Sequence, residues 1–202
     1  MLNIQLQVNR SLHQIRNIIS RMRLKNKSVT IISSNCVGGV MYHDLHLPFT
    51  SPTINLFFEP DSFLKYVENL EYYNDKEVVD VTNGASYPVG RIGDVELHFL
   101  HYNSFEEAKE SWNRRKKRIN YDNIVIVMTD QGVKSSEVVK RFDKIEYRKV
   151  YLTNKHLKYA WSEYIPGFDE DDSVGNTIPY CHGGKRFYEQ FDYVAFLNGD
   201  TK

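Results

Sequence analysis

Residues 29–59 read VTIISSNCVGGVMYHDLHLPFTSPTINLFFE, and this stretch decides the fold class. Val29 to Ser33 is a short, β-branched apolar run, which indicates a buried strand. A Gly-rich turn, a short helix and a second apolar run, Ile54 to Phe58, follow it. In an open α/β sheet, ligands bind in the loops that leave the carboxyl ends of the strands. We therefore expect the functional site at Ser33 to Gly39.

Apolar runs continue to alternate with helical patterns along the chain. Ser104 and Glu107 form a capping box, which predicts a helix from there to about Ile119. Continuous apolar strands are typical of a sheet that is covered on both faces. The pattern predicts an α/β fold, a three-layer α/β/α sandwich with a parallel or mostly parallel, mixed sheet. Further strands are predicted at 78–81, 95–101, 124–128 and 150–152, further helices at 61–74, 135–142 and 184–197, and a structured loop at 87–94.

The 202 residues are enough for one substantial core, and we expect a single domain. Residues 1–27 form an amphipathic N-terminal helix in this interpretation, and residues 28–154 form the α/β core. Residues 155–202 contribute a long, lid-like loop, aromatic and acidic in composition, followed by a C-terminal helix.

The N-terminal helix carries a stripe of apolar residues, but it is too polar for a signal peptide or a membrane span. We expect this stripe to pack on the protein, and contact with an anionic membrane is the alternative. Cys36 and Cys181 are the two cysteines, which is no disulfide framework, so the predicted location is the cytoplasm, with peripheral membrane attachment as the variant. The stripe consists of Leu12, Ile15, Ile18, Ile19 and Met22.

Charge and motif content argue against two classes of function. Lys plus Arg number 26 and Asp plus Glu also number 26, so net charge gives no reason to expect a nucleic-acid partner. The chain has no H-E-x-x-H motif, and along a strand His98 and His101 point to opposite faces. We therefore predict no metal site, and a magnesium-assisted transferase that uses Asp94, Glu96 and Asp130 near the strand ends is the alternative.

The turn after the first strand is the best candidate for chemistry. It matches neither the dinucleotide nor the P-loop fingerprint, nor the G-x-S-x-G elbow. Backbone amides of Gly38 and Gly39, with Ser34, could bind an anion at a helix start, and the Asn35 amide could donate to an oxyanion. Cys36 is a candidate nucleophile for which His43 would be the base. A tight turn without a ligand accounts for the same residues.

Candidates from other segments are expected to join this turn in one cleft. His98 is an alternative general base, and Asp130 follows the most apolar strand. Arg115 lies in a basic run, RRKKR at 114–118, and could hold a phosphate, although positive charge at a helix end is the simpler explanation for most of that run. The YPVGRIGD loop at 87–94 contributes Arg91 and Asp94 as substrate-binding candidates.

The ordered series of motifs resembles an uncharacterised bacterial domain family whose members are often labelled exopolysaccharide or capsule biosynthesis proteins. This resemblance covers about 27–154 and implies an α/β/α fold and a role in surface polysaccharide assembly. It supplies no catalytic residue. The motifs are NCxGG at 35–39, LP at 47–48, SP at 51–52, YPVG at 87–90, GDVELHF at 93–99 and WNRRKKRIN at 112–120.

The sequence thus leads to three expectations about function. The first is a glycosyl or acyl transferase that acts on a sugar or nucleotide sugar in exopolysaccharide biosynthesis. The alternatives are a hydrolase that depends on Cys36, and a non-catalytic sugar-binding or interaction subunit attached to membrane-bound polysaccharide machinery. The sequence leaves any cofactor open.

Overall fold

The computed structural model describes residues 2–200, so residue 1 of the predicted N-terminal helix and residues 201–202 lie outside it. The described chain is an α/β sandwich, as predicted. Its helices are α1 (Leu2–Arg23), α2 (Val37–Leu45), α3 (Pro60–Glu68), α4 (Leu70–Asp75), α5 (Phe105–Lys116), α6 (Ser136–Asp143) and α7 (Tyr193–Asn198), with 3₁₀ turns at Tyr121–Asn123 and Phe187–Gln190. Its strands are β1 (Thr30–Ser33), β2 (Val79–Asp80), β3 (Val89–Ile92), β4 (Val95–His98), β5 (Ile124–Thr129), β6 (Arg148–Thr153) and β7 (Ser162–Tyr164).

Two sheets form the frame of the molecule. The larger sheet is parallel, in the order β1-β5-β6-β7, and the smaller is antiparallel, in the order β2-β3-β4. Residues 53–58 lie between them: the Phe58 amide donates to the Ser34 carbonyl (2.9 Å), and Phe57 and His98 exchange both backbone hydrogen bonds. This linking segment brings the end of β4 close to the end of β1.

Alternate residues of the parallel strands enter two separate cores. Ile32 and Ile126 pack with Trp112 of α5 and Phe142 of α6 on one face of the sheet. On the other face, the β-strand neighbours of these residues pack with α2 and α7. Both faces are therefore covered, which confirms the three layers that the continuous apolar strands predicted.

The predicted N-cap is present at the start of α5, but the capping box is incomplete. Ser104 accepts a hydrogen bond from the Glu107 amide (3.2 Å), whereas the Glu107 carboxylate accepts one from the amide of Asn103, the residue before the cap (3.3 Å). Trp112 is buried on the same helix. A local sequence signal is reliable here because the cap needs only neighbouring residues.

Three predicted elements between residues 54 and 94 differ from the structure. The run Ile54 to Phe58 is extended but is not a regular strand, because Asn55 adopts a positive φ of 62° in its middle. The segment 87–94, predicted as a loop, contains β3 and a two-residue hairpin at Gly93 and Asp94, where Gly93 takes a φ of 60°. The predicted helix 61–74 is divided into α3 and α4 at Asn69.

The C-terminal third is also less helical than predicted. The lid-like segment contains β7, and the helix predicted at 184–197 is reduced to a 3₁₀ turn and the short α7. Gly184 adopts a positive φ of 72°, and Tyr180 and Arg186 form an antiparallel bridge around it. Glycines here make a tight reversal of the chain, so the helix starts later than the sequence pattern suggested.

The orientation of α1 contradicts the prediction that its apolar stripe packs on the protein. Residues of that stripe are exposed, whereas His13, Asn17 and Ser20 are buried on the opposite face. The buried face is polar because His13, which lies on it, contacts the carboxylates of Asp44 and Glu189. Hydrophobic periodicity alone therefore assigned the wrong face of this helix to the interior.

That ionic group, which we call the buried ionic cluster, consists of His13, Asp44, Arg186 and Glu189. His13 Nε2 lies 3.1 Å from Asp44 Oδ2, and its Nδ1 lies 3.3 Å from Glu189 Oε2. Arg186 Nε donates to the same Asp44 oxygen (3.1 Å), as does the Tyr188 hydroxyl (2.7 Å). The cluster joins α1, α2 and the C-terminal segment, which are distant in sequence.

We predict that His13 makes stability depend on pH. Burial opposes its protonation, but the hydrogen bonds and charges of Asp44 and Glu189 outweigh burial and raise the pKa of His13 from 6.5 to about 9. Its stabilising contribution is therefore complete below pH 6.5 and is lost as the pH rises through 9. Urea unfolding at pH 6 and pH 9.5 should show the wild-type advantage over His13→Ala shrinking by about 2 to 3 kcal/mol. An advantage that is equal at both pH values would contradict a protonated His13.

Candidate functional site

A cleft of about 290 Å³ opens at the carboxyl edge of the parallel sheet, where β1 and β5 end. We call it the sheet-edge cleft. Parallel α/β sheets bind their ligands at this edge, and the segment Ser33 to Gly39 was predicted to contribute to it. Its lining consists of Asn35, Cys36, Phe57, Leu100, His101, Gln131, Gly175, Asn176, Thr177 and Ile178.

A larger hollow, of about 560 Å³, lies beside Arg148 and Lys149 at the amino end of β6. Volume favours this hollow, but its position at the amino ends of the strands does not match the edge where such folds bind ligands. Its wall also includes side chains of both charge signs, among them Glu163 and Asp192. We therefore assign the site to the smaller cleft.

Asn35 holds the floor of the cleft in shape. Its Nδ2 donates to Thr129 Oγ1 (3.1 Å), and its Oδ1 accepts a hydrogen bond from the Val37 amide (3.1 Å). Ser34 makes a second tie between the same strands, because its Oγ accepts from the Thr129 amide (3.2 Å) while the side chain is buried. Asn35 has a second amide hydrogen, which leaves it one donor for a ligand, whereas Ser34 is structural.

The glycines of the turn have a packing role. Gly38 lies inside α2, where a Cβ atom would come within 2.6 Å of the Ser33 Cβ, and Gly39 packs against Ile54. The Gly38 amide donates to Ser33 Oγ (3.3 Å). Because this amide and that of Val37 are satisfied by side chains of the turn itself, the structure differs from the predicted anion site.

Cys36 lines the cleft, but His43 does not. Burial raises the pKa of the Cys36 thiol, and its Sγ lies 3.9 Å from the Leu56 carbonyl oxygen. His43 is on the outer surface of α2, its side chain is 76% exposed and its Nδ1 contacts Asp44. Seven residues along a helix separate the two by about 10 Å, so the predicted nucleophile and base are not paired.

His98 lies behind the cleft wall. Its ring centroid is 5.9 Å from that of Phe57 and 6.0 Å from that of Tyr87, and its Nδ1 is 3.5 Å from the Tyr87 hydroxyl. Its Nε2 is buried and has no hydrogen-bond partner among residues 2–200. Phe57 reaches the cleft and His98 does not line it, so His98 contacts the site through that aromatic ring.

Asp130 fixes the segment that covers the cleft. Its Oδ2 accepts hydrogen bonds from Thr153 Oγ1 (2.7 Å) and the Asn154 amide (3.2 Å), and its Oδ1 accepts one from the Val174 amide (2.7 Å). Val174 directly precedes the lining residues 175–178. Both carboxylate oxygens are therefore occupied in positioning the lid-like segment, which is a different role from the catalytic one predicted for Asp130.

The remaining predicted residues lie away from the cleft. Asp94, in the β3–β4 hairpin, accepts hydrogen bonds from Lys65 Nζ (2.7 Å) and the Tyr73 hydroxyl (2.8 Å). Arg91 is exposed on β3, in register with Glu96. Arg115 donates to the Tyr102 hydroxyl and lies over the Phe49 ring. Asp94, Arg91 and Arg115 therefore do not join the turn at 33–39 in one cleft, as the sequence led us to expect.

Eight of the ten lining residues were absent from the predicted site, and four of these bear on its chemistry: His101, Gln131, Asn176 and Phe57. Gln131 follows Asp130 at the end of the most apolar strand, and His101 follows β4, so position after a strand was a usable signal for both. Asn176 had no such signal, because the 3D path of the C-terminal segment brings it to the cleft.

The chemistry of the cleft follows from this lining. Its polar side chains are neutral amides and a hydroxyl, its apolar part includes one aromatic ring, and His101 supplies an imidazole. The lining contains no carboxylate, Lys or Arg side chain. Within residues 2–200, no group of three or more His, Cys, Asp or Glu side chains is placed to hold a metal ion. The cleft therefore suits a neutral, hydroxyl-rich ligand better than a charged one.

Fold and site together define an α/β sandwich protein with a neutral polar cleft at the carboxyl edge of its parallel sheet. The chain belongs to the DUF1919 family, described as a domain of unknown function, whose model matches residues 7–198. It is 38% identical over 194 residues to an uncharacterized protein of Haemophilus influenzae, covering 95% of this chain and 94% of that relative. The bacterial, uncharacterised family indicated by the sequence motifs is thereby confirmed. Neither description names a reaction or a substrate.

Among the helices of residues 2–200, none combines the length and the apolar character that crossing a bilayer requires.

Proposed function

We propose that the protein is a transferase of bacterial surface polysaccharide assembly, acting in the cytoplasm on a sugar bound in the sheet-edge cleft. The observation that carries this proposal is the lining itself: three side-chain amides, an aromatic ring and one imidazole, with no charged side chain that would favour an ion. The family resemblance of the sequence supports the biological setting, and the cleft supports the ligand class.

The amides are suited to sugar hydroxyls. Asn35 has one N–H group left for a ligand, and Asn176 offers its N–H donors, since the Oδ1 atoms of both residues already accept hydrogen bonds from the Val37 and Ile178 amides. Gln131 can act both as donor and as acceptor. Phe57 offers a flat apolar surface against which the C–H face of a pyranose ring can pack. A sugar needs both kinds of contact, since its hydroxyl groups surround an apolar ring face.

Because the lining has no charged side chain, the cleft suits the sugar ring of a substrate and not a diphosphate. A buried diphosphate is normally held by Arg, Lys or a cation, whereas a sugar ring needs none of these. Lys and Arg side chains do not line the cleft, so we assign it to the neutral acceptor sugar, and any diphosphate of an activated donor lies outside it.

His101 is the group best placed for proton transfer. It is exposed at the cleft and is the one histidine of the lining. In the proposed step, an imidazole nitrogen of His101 accepts the proton of a sugar hydroxyl while that oxygen forms a bond to the transferred group. The bond from this group to its carrier breaks, and the electron pair leaves with the carrier.

The biological part of the proposal is tested by deleting the gene in a bacterium that carries it and analysing the sugars of the extracted surface polysaccharide. We expect the polysaccharide to be lost or to lack one substituent, and a plasmid copy of the wild-type gene to restore it. Unchanged polysaccharide in the deletion strain would remove the proposed role.

Cys36 also lines the cleft, and the Cys-dependent hydrolase is therefore the competing function. Burial raises the pKa of its thiol, which lowers the fraction of reactive thiolate, and the proposed transferase does not need it. The hydrogen bonds of Asn35 hold the turn and do not involve the Cys36 side chain. We therefore predict that Cys36→Ala restores polysaccharide in the deletion strain to within about twofold of wild type. A null phenotype for a stably folded Cys36→Ala would favour the hydrolase.

A further inference from the structure

The exposed face of α1 is an apolar stripe that no other described part of the protein covers. Met22 is 82% exposed and Ile4 is 66% exposed, and the remaining members are between these values and 39%. The spacing of three and four residues along the helix places them on one side. At 1.5 Å per residue, the 22 residues of α1 span about 33 Å. The structure extends the predicted stripe of Leu12, Ile15, Ile18, Ile19 and Met22 toward the start of the helix by Ile4 and Val8.

Interactions on the opposite face keep α1 in this orientation. His13 belongs to the buried ionic cluster, and the Arg21 Nε donates to the Asp44 carbonyl oxygen (2.9 Å). At its end the helix is held by the Arg23 contact with Asp192. Rotating α1 to bury the stripe would separate a buried imidazole from its carboxylates, which costs several kcal/mol. The apolar stripe is therefore a fixed feature of the surface.

Charge identifies what covers this surface. The first 43 residues contain six Lys or Arg residues and no Asp or Glu. Arg23 and Lys25 pair with Asp192 and Asp200, whereas Arg10 and Lys27 are exposed and have no carboxylate within ion-pair distance among residues 2–200. A helix that is apolar along one side and flanked by cations suits the interface of an anionic bilayer, where each nearby cation contributes about 1 kcal/mol. The six residues are Arg10, Arg16, Arg21, Arg23, Lys25 and Lys27.

The same charges argue against a second copy of the chain as the partner. Two α1 helices packed along their stripes would bring cations to cations, because neither helix has an acidic residue for the other to pair with. Like charges that face each other destabilise such a contact. An anionic lipid surface has the opposite charge to Arg10 and Lys27, the two cations without a carboxylate partner among residues 2–200.

We propose that α1 docks the protein on the surface of an anionic membrane, with the apolar stripe inserted among the lipid headgroups and acyl chains. The helix lies in the plane of the bilayer and does not cross it. This inference rests on α1 alone and is independent of the reaction proposed for the sheet-edge cleft.

Co-sedimentation of the full chain with lipid vesicles tests the proposal. We expect binding to vesicles of phosphatidylcholine with 30% phosphatidylglycerol (about a third anionic lipid), weak binding to phosphatidylcholine alone, and release by high salt. Ile19→Glu should lower the partition coefficient at least about tenfold. Val79→Glu is the matched control, because Ile19 and Val79 are both 53% exposed and both changes add one negative charge. The control should bind like wild type.

Ile15→Glu is a second stripe variant, and a thermal melt confirms that each variant is folded. Equal binding of Ile19→Glu, Ile15→Glu and wild type would overturn the proposal. So would failure of the wild type to bind anionic vesicles. Sedimentation without vesicles reports the alternative occupant: a dimer that Ile19→Glu converts to a monomer would assign the stripe to a second copy and likewise overturn membrane docking.

Discussion

Replacing Asp44 with Asn lowers the free energy of unfolding by about 3 to 5 kcal/mol, the cost of breaking a buried ion pair from one side. Asp44 is 1% exposed and receives hydrogen bonds from His13, Arg186 and Tyr188 on one carboxylate oxygen. These contacts hold the pKa of Asp44 well below its ordinary value despite burial. Without the carboxylate, the positive charges of His13 and Arg186 remain in the interior, and Glu189, which contacts the His13 ring, is the remaining carboxylate of the cluster.

Asp94→Asn is the matched control for this substitution. Asp94 also has two hydrogen-bond partners, Lys65 and Tyr73, but its side chain is 63% exposed. Exposed ion pairs contribute little, so we expect a much smaller loss than for Asp44→Asn. Urea unfolding of both variants at pH 7 gives the comparison. Equal losses for Asp44→Asn and Asp94→Asn would show that the buried ionic cluster does not hold α1 and the C-terminal segment together.

We expect His101→Ala to abolish the proposed transfer reaction. A general base typically contributes about 10²- to 10⁴-fold to a rate, so the variant gene should leave the deletion strain with its altered polysaccharide. His182→Ala is the matched control, since it removes an exposed histidine that does not line the cleft. We expect this control to restore the wild-type polysaccharide. Full restoration by His101→Ala would exclude His101 as the base.

A Phe57→Ala variant separates catalysis from binding in the same strain. Phe57 supplies the aromatic surface of the cleft and has no group that transfers a proton. Polysaccharide that depends on Phe57 but not on His101 would describe a sugar-binding subunit without catalytic activity. Dependence on both residues is the result that the transferase proposal requires.

The fold and one wall of the cleft could be predicted from local sequence. Ile31, Ile32 and the strand at 124–129 are apolar on both faces, which requires layers on both sides of the sheet. Asn35 and Cys36 follow β1 directly, and the topology of parallel sheets then places them at the ligand-binding edge. These predictions succeed because neighbouring residues along the chain determine them.

The other wall of the cleft and the orientation of α1 depend on contacts between distant residues. Gly175 to Ile178 reach the cleft because Asp130 binds the Val174 amide and Arg186 Nη1 donates to the Ile178 carbonyl (2.7 Å). No local sequence pattern predicts either contact. The buried face of α1 is polar for the same reason: His13 becomes a favourable interior residue only beside Asp44, and that partner belongs to another helix.

Crystals soaked separately with glucose, galactose, N-acetylglucosamine and UDP-glucose test the central claim, which is that the sheet-edge cleft binds the neutral part of a sugar substrate. The predicted result is a pyranose ring against Phe57, with its hydroxyl groups bonded to Asn35, Gln131 or Asn176 and one hydroxyl within hydrogen-bond reach of His101. For UDP-glucose, the diphosphate should extend outside the cleft. A cleft that stays empty with all four compounds, or a sugar bound only elsewhere on the protein, would contradict the account.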